Sequence, residues 1–165
     1  MESRIKLVGH PVHPMLVVYP LGLLSSAVIF DALYLVTGNP DLATFSFWAL
    51  AAGLVGGLAA AIFGLVDWLA IPKDTRAKRI GALHGGGNLV VVLLFALSFL
   101  MRLDGAAYLP DILPFLLALV GAGIALITAW LGGELVYRLR VAVDDDAGLN
   151  ASNSLAREGL VDRNA

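Results

Sequence analysis

Four long apolar runs, at about 14–37, 42–71, 79–102 and 111–139, leave this chain few folds to choose from. A hydrocarbon core of about 30 Å is crossed by roughly 20 apolar residues in helical form, and each run reaches that length. The second and fourth are long enough to tilt or to project into the headgroups. No strand-like alternation interrupts them, so the class is all-α. The apolar share, 59%, stands above the roughly 45–50% of ordinary usage, and the mean hydropathy is +0.84. The expectation is an integral membrane four-helix bundle, residues 1–143, in contact with the lipid bilayer. From Asp144 the composition turns to Asp, Gly, Asn and Ser with little to bury, and 144–165 reads as a mobile polar C-terminal tail.

Basic residues orient the bundle. Arg4 and Lys6 precede the first helix, Lys73, Arg76, Lys78 and Arg79 fill the second connection, and Arg138 and Arg140 follow the fourth helix. The other two connections offer Arg102 alone, against Asp41, Asp104 and Asp111. By the positive-inside rule both termini are cytoplasmic. The first run resembles a signal peptide superficially, but His10, Pro11, His13 and Pro14 interrupt its start and apolar residues continue past the small Ser25-Ser26-Ala27, so retention is expected. With no cysteine, disulfides, thiolate zinc sites and iron–sulfur clusters are excluded. A net charge of −2 with no basic face gives no nucleic-acid footprint.

Polar residues gather by depth at the cytoplasmic ends. Helix 1 opens on Gly9-His10-Pro11-Val12-His13-Pro14, where each proline biases the preceding histidine toward extended geometry. Pro14 suits the first helical position, leaving His13 near the N-cap. In polyproline geometry, three residues per turn set His10 and His13 on one edge. Helix 3 opens on His84-Gly85-Gly86-Gly87-Asn88, with His84 and Asn88 on one face. Its glycines suit close approach of a neighbouring helix or of a flat cofactor. Helices 2 and 4 end with Asp67 and Glu134, carboxylates that must face the bundle or find a partner. The bland pairings are Asp67 with Lys78 or Arg79, and Glu134 with Arg138. Trp68 and Tyr137 read as interface-belt aromatics, and Asp31 as interfacial. Pro20 should bend helix 1. The Gly53…Gly57 spacing serves packing within the bundle or between protomers of a homo-oligomer. The alternation of histidine starts with carboxylate ends suggests two hairpins related by a pseudo-two-fold along the membrane normal, with His13, Asp67, His84 and Glu134 around one axial cavity.

The residues His10-Pro11-Val12-His13-Pro14-Met15, Gly64-Leu65-Val66-Asp67-Trp68…Ile71-Pro72, His84…Asn88 and Gly133-Glu134-Leu135-Val136-Tyr137-Arg138 resemble, in order, a bacterial family of predicted four-helix membrane proteins, the domain-of-unknown-function 2231 family. The resemblance runs from about Val8 to Val143. It implies a multi-pass protein of the bacterial inner (cytoplasmic) membrane. The joining of some members to Rieske-type or cytochrome c-type modules implies an electron-transfer setting and a redox partner protein. Family members often carry a histidine and a glycine after the Val-Tyr of helix 4, where this chain has Leu139 and Arg140. A role of that histidine is therefore lost here or filled by His10, His13 or His84.

Three functions compete. In the first, the bundle holds a b-type haem for electron transfer, ligated by His84 with His13 or His10, with Asn88 nearby. The basic second connection would then neutralise the propionates. In the second, His10, His13, Asp67, His84 and Glu134 supply a nitrogen–oxygen set for a divalent transition metal such as zinc, iron or manganese. In the third, the polar ring ties helix ends together in a cofactor-free subunit of a membrane complex. No nucleophile elbow or phosphate loop is present. The half of the bundle away from the histidines reads as dry, without polar residues to carry an ion across.

Overall fold

A computed structural model describes residues 1–103, 105 and 108–155. Asp104 and the stretch 156–165 of the C-terminal tail lie outside the described residues. A two-stranded ladder, β1 (Lys6–Leu7) against β2 (His10–Pro11), leads into α1 (Val12–Leu16), α2 (Val18–Thr37), α3 (Pro40–Ala70), α4 (Arg76–Leu100) and α5 (Ile112–Gly133). A π-helical turn, Glu134–Arg138, extends α5, and its wider ring closes from Leu139 N–H to Glu134 O at 3.0 Å. The four helical lengths Val12–Thr37, Pro40–Ala70, Arg76–Leu100 and Ile112–Arg138 are each long and apolar enough to cross a membrane.

Local chemistry sets the ends. Asn39 accepts from Asp41 N–H ahead of Pro40, and Thr75 accepts from Lys78 N–H, so α3 and α4 both start on capping side chains. Gly38, at φ +69°, closes α2 in the left-handed region. Ile71, held extended by Pro72, ends α3. The first helix begins earlier than expected, at Val12, so His13 is helical and Pro14 sits inside the first turn. The ring is tolerated there because the first four N–H groups of a helix have no intrahelical acceptor. The effect of Pro20 is visible one turn before it. With no N–H to give Leu16 O, the span is broken at Val17 into α1 and α2.

α2 packs along α3, and α4 along α5, while the contacts between these two hairpins are sparser. The hairpins repeat each other contact by contact. Gly53 of α3 lies under Leu24 and Leu23, and Gly121 of α5 lies under Phe95 and Leu94. Ser46 donates to Ala27 O across the first hairpin and Ser98 to Pro114 O across the second. Equivalent positions on the first helix of each hairpin are 71 apart (Leu24 and Phe95, Asp31 and Arg102, His13 and His84). A second constant spacing relates Gly53, Ala60 and Gly64 of α3 to Gly121, Thr128 and Gly132 of α5. Around the axis Leu24, Ala27, Leu50, Val91, Phe95 and Ala118 form the core. Gly53 and Gly57 are spent inside the bundle, Gly57 facing Pro20 and Val92.

The N-terminal arm, the α3–α4 turn and the segment after Arg138 meet at one end. The Met1 ammonium donates to Arg140 O at 2.9 Å, and Lys6 bridges Glu2 at 2.8 Å and Asp144 at 2.6 Å. Ser154 rests against Gly9, so the tail packs on the arm at least that far. At the opposite end the described residues include a single cation, Arg102, and it is fully buried.

Candidate functional site

His13 and His84 occupy equivalent places, and their rings do equivalent things. His13 Nδ1 donates to Ala60 O at 2.8 Å, across from α1 to α3. His84 Nδ1 donates to Thr128 O at 2.8 Å, across from α4 to α5. A carbonyl can only accept, so in each ring Nδ1 carries the proton and Nε2 is left with its lone pair. One helical turn beyond each carbonyl a glycine makes way for the ring. A Cβ at Gly64 would stand 2.8 Å from His13 Cε1, and one at Gly132 would stand 3.2 Å from His84 Cε1. Gly64→Ala is expected to displace the His13 ring from Ala60 O, at a cost of about 1–3 kcal/mol for the stranded groups. A chemical denaturation series in detergent with the histidine 15N shifts would show it, and an unmoved His13 Nδ1 shift would refute it.

Asn88 completes the second half-site. Its amide nitrogen lies 3.2 Å from His84 Nε2 and donates to His84 O at 3.0 Å, while Thr128 Oγ1 donates to Asn88 Oδ1 at 2.9 Å. The pairing of His84 with Asn88 on one face is therefore observed, with Thr128 as a third partner. Gly87 explains itself by the close approach of Thr128, whose methyl would lie 2.5 Å from an added Cβ. Gly85 and Gly86 face open space instead, so they do not make room inside the bundle.

The other nominated residues lie elsewhere. His10 is exposed on β2 while His13 lies in α1, so the chain between them turns from ladder into helix and does not keep the polyproline geometry expected for the pair. Asp67 is buried but points to the arm. Ser3 Oγ lies 2.9 and 2.8 Å from its two oxygens, and Arg4 N–H donates at 2.8 Å. Neither Lys78 nor Arg79 reaches it among the described contacts. Lys78 instead lies 3.9 Å from the Trp68 ring centroid and donates to Trp68 O, which makes Trp68 a partner of the α3–α4 turn. Glu134 pairs with Arg76 at 2.7 Å, across the hairpin, and not with Arg138. The repeat spacing sets Asp67 opposite Leu135, so the two carboxylates are not equivalents. Among the described residues no three of histidine, aspartate or glutamate gather as a metal-holding group.

Asp67 thus acts as a latch for the arm. Asp67→Ala is expected to raise amide exchange over residues 3–8 by about tenfold, the loss of two bonds, from the one Ser3 hydroxyl proton and from Arg4 N–H, at about 0.5–1.5 kcal/mol each. Unchanged protection would refute the latch. The same arm is pH-sensitive through half-buried groups. The Lys6 ammonium is held above its usual value by Asp144 and then Glu2, and the Glu2 carboxyl is held below its usual value by Lys6. A lowered carboxylate stabilises above its unfolded value and loses that contribution as pH falls through the folded one. The clasp therefore loosens on the acid side of the Glu2 titration, and at the alkaline end as pH rises through that of Lys6.

The second polar cluster lies where the bundle was expected to be dry. Asp31 and Arg102, both fully buried, meet in a two-pronged ion pair, Nη1 to Oδ1 at 2.8 Å and Nη2 to Oδ2 at 2.5 Å. Ser46 and Ser98 accept further bonds from the guanidinium at 3.2 and 3.0 Å. Among the described residues, Arg102 Nε is the one buried side-chain polar atom without a partner. Phe47, beside Ser46, stacks with Tyr108 at 3.9 Å and with Phe99 at 4.7 Å between ring centroids. The signal was present as a charge at each end of the 71-residue interval, but neither charge alone marks a pair. From His13 to Asp31, as from His84 to Arg102, the chain rises about 27 Å at helical pitch, so the two clusters stand at opposite faces of the membrane.

Four apolar spans in two equivalent hairpins, pinned by a histidine cluster at one end and a buried ion pair at the other, define a multi-pass membrane protein of the four-helix-bundle class. The chain belongs to the DUF2231 family, described as a predicted membrane protein, whose family model matches residues 9–145. No curated protein and no solved structure matches the chain.

Proposed function

We propose that His13 and His84 are a ligand pair for a b-type haem and that the protein passes electrons within the membrane. The observation that supports this most is the matched posture of the two rings. Each gives its Nδ1–H to a main-chain carbonyl of the opposing helix, the outer-shell bond that typically orients a ligating imidazole and frees Nε2 for the metal. A bound haem would supply one-electron chemistry. The chain would contribute fixed rings, through Ala60 and Thr128, and close seating of those rings on α3 and α5, through Gly64 and Gly132. Asn88 would release His84 Nε2 on ligation and keep its bond to the His84 carbonyl. The crowding of basic residues at the histidine end supports placing that end in the cytoplasm of a bacterial inner membrane, where a redox partner protein would approach.

A second reading has its own support. Asn88 holds His84 Nε2, and the two histidines already tie α1 to α3 and α4 to α5, which is what a cofactor-free structural subunit needs. A non-haem metal site retains less, since Asp67 and Glu134 are engaged by the arm and by Arg76. The test is an absorption spectrum of detergent-purified protein from haem-supplied cells, oxidised and dithionite-reduced, with metal analysis of the same sample. A Soret band with sharp reduced α and β bands supports the haem reading. A colourless protein with stoichiometric metal favours the non-haem site. A colourless, metal-free protein makes the histidines cross-links.

A further inference from the structure

We propose that the α3–α4 turn binds the phosphate of an anionic phospholipid headgroup. A hollow of about 560 Å³ opens there, lined by Lys73, Asp74, Lys78 and Arg79. Its depth suits a headgroup, since α3 leaves its span at Ala70 and α4 enters at Arg76. Three cations face one carboxylate, and the positive end of the 25-residue helix α4 adds to them. Two of those cations are uncommitted. The side chains of Lys73 and Arg79 have no hydrogen bond or ion pair among the described contacts, whereas Lys6 and Arg76 at the same end are each bound to carboxylates. Lys78 is fixed in place by the Trp68 ring at 3.9 Å and by the carbonyls of Trp68 at 2.6 Å and Leu69 at 3.5 Å, so it contributes charge to the hollow while Lys73 and Arg79 supply the free donors.

Phosphate chemistry alone fits a free anion as well as a lipid. The apolar flank decides for the lipid. Leu69 on α3 and Leu83 on α4 are exposed by 63% and 62%, one just before the turn and the other one helical turn below Arg79. An acyl chain descending from a phosphate in the hollow would lie on this flank. Zwitterionic headgroups are disfavoured, because their ammonium would be brought to a site already rich in cations. Basic pockets at the cytoplasmic ends of membrane helices select anionic headgroups in this way, each cation contributing about 1 kcal/mol.

The experiment is native mass spectrometry of the full chain, titrated with phosphatidylglycerol, with phosphatidylcholine and with inorganic phosphate. Phosphatidylglycerol should bind at least tenfold more tightly than phosphatidylcholine. The double variant Lys73→Gln/Arg79→Gln should weaken phosphatidylglycerol binding by about 30-fold, from the contribution of roughly 1 kcal/mol per cation. The charge-matched control Arg4→Gln/Arg138→Gln, at the same end, should change it less than threefold. An equal loss in both doubles would reduce the effect to diffuse charge and overturn the site. Equal binding of the two lipids would overturn anionic selectivity, and inorganic phosphate binding as tightly as phosphatidylglycerol would overturn the lipid as occupant. If the double variant does not fold, Arg79→Gln alone should show about a fivefold loss.

Discussion

Asp31→Leu, with Arg102 retained, is expected to cost about 3–5 kcal/mol of stability, the scale for stranding one member of a buried ion pair. The carboxylate accepts both terminal nitrogens of Arg102, and neither residue has any exposure to solvent. Removing it leaves a guanidinium in the bundle with two serine hydroxyls as its only described partners. The double variant Asp31→Leu/Arg102→Leu should recover part of the loss, because both charges leave together, while the shorter side chain at 102 leaves some space unfilled. Ser46 and Ser98 keep their carbonyl acceptors on Ala27 and Pro114 in that background. Reversible unfolding in bicelles, followed by far-UV circular dichroism, measures all three proteins. A single variant within 1 kcal/mol of the parent would mean that the pair contributes little.

His13→Ala and His84→Ala are each expected to abolish the haem spectrum, and to equal degrees, because the two rings hold equivalent places in the two hairpins. His10→Ala should leave the spectrum intact, since His10 is exposed on the ladder outside the bundle. That third variant separates the two-ligand arrangement from a general need for imidazole at this end. Circular dichroism on the same samples separates ligand loss from unfolding. A full spectrum in either bundle variant would exclude that histidine as a ligand. In the absence of any haem in the parent protein, the same two substitutions should still lower stability, through Ala60 O and Thr128 O, with the larger loss at His84 because Asn88 also leans on its ring.

The spans were legible because a bilayer imposes a length and a composition at once. The two histidines were legible by depth, and so was the hairpin repeat. Direction around each helix was not. Asp67 and Glu134 lie at the expected depth, yet one turns to the arm at Ser3 and the other to Arg76, and hydropathy carries no signal for that choice. The ion pair was hidden for a different reason. Asp31 and Arg102 each sit near the end of an apolar run, where an interfacial charge is unremarkable, and their meeting depends on a fold that brings together residues 71 apart. The glycines after His84 misled by number, since only Gly87 meets a neighbour.

The repeat has a consequence for assembly. Asp31 and Arg102 hold the same address in the two hairpins, with opposite sign. Each half therefore works as a key cut for the other half and not for itself. Two first hairpins brought together about the same axis would confront aspartate with aspartate in a water-free interior, and two second hairpins would confront arginine with arginine. Like charges at that depth repel strongly, so exchange of hairpins between molecules must pair a first with a second. Any swapped dimer of this chain would preserve both crossings, since each takes one charge from a first hairpin and its opposite from a second.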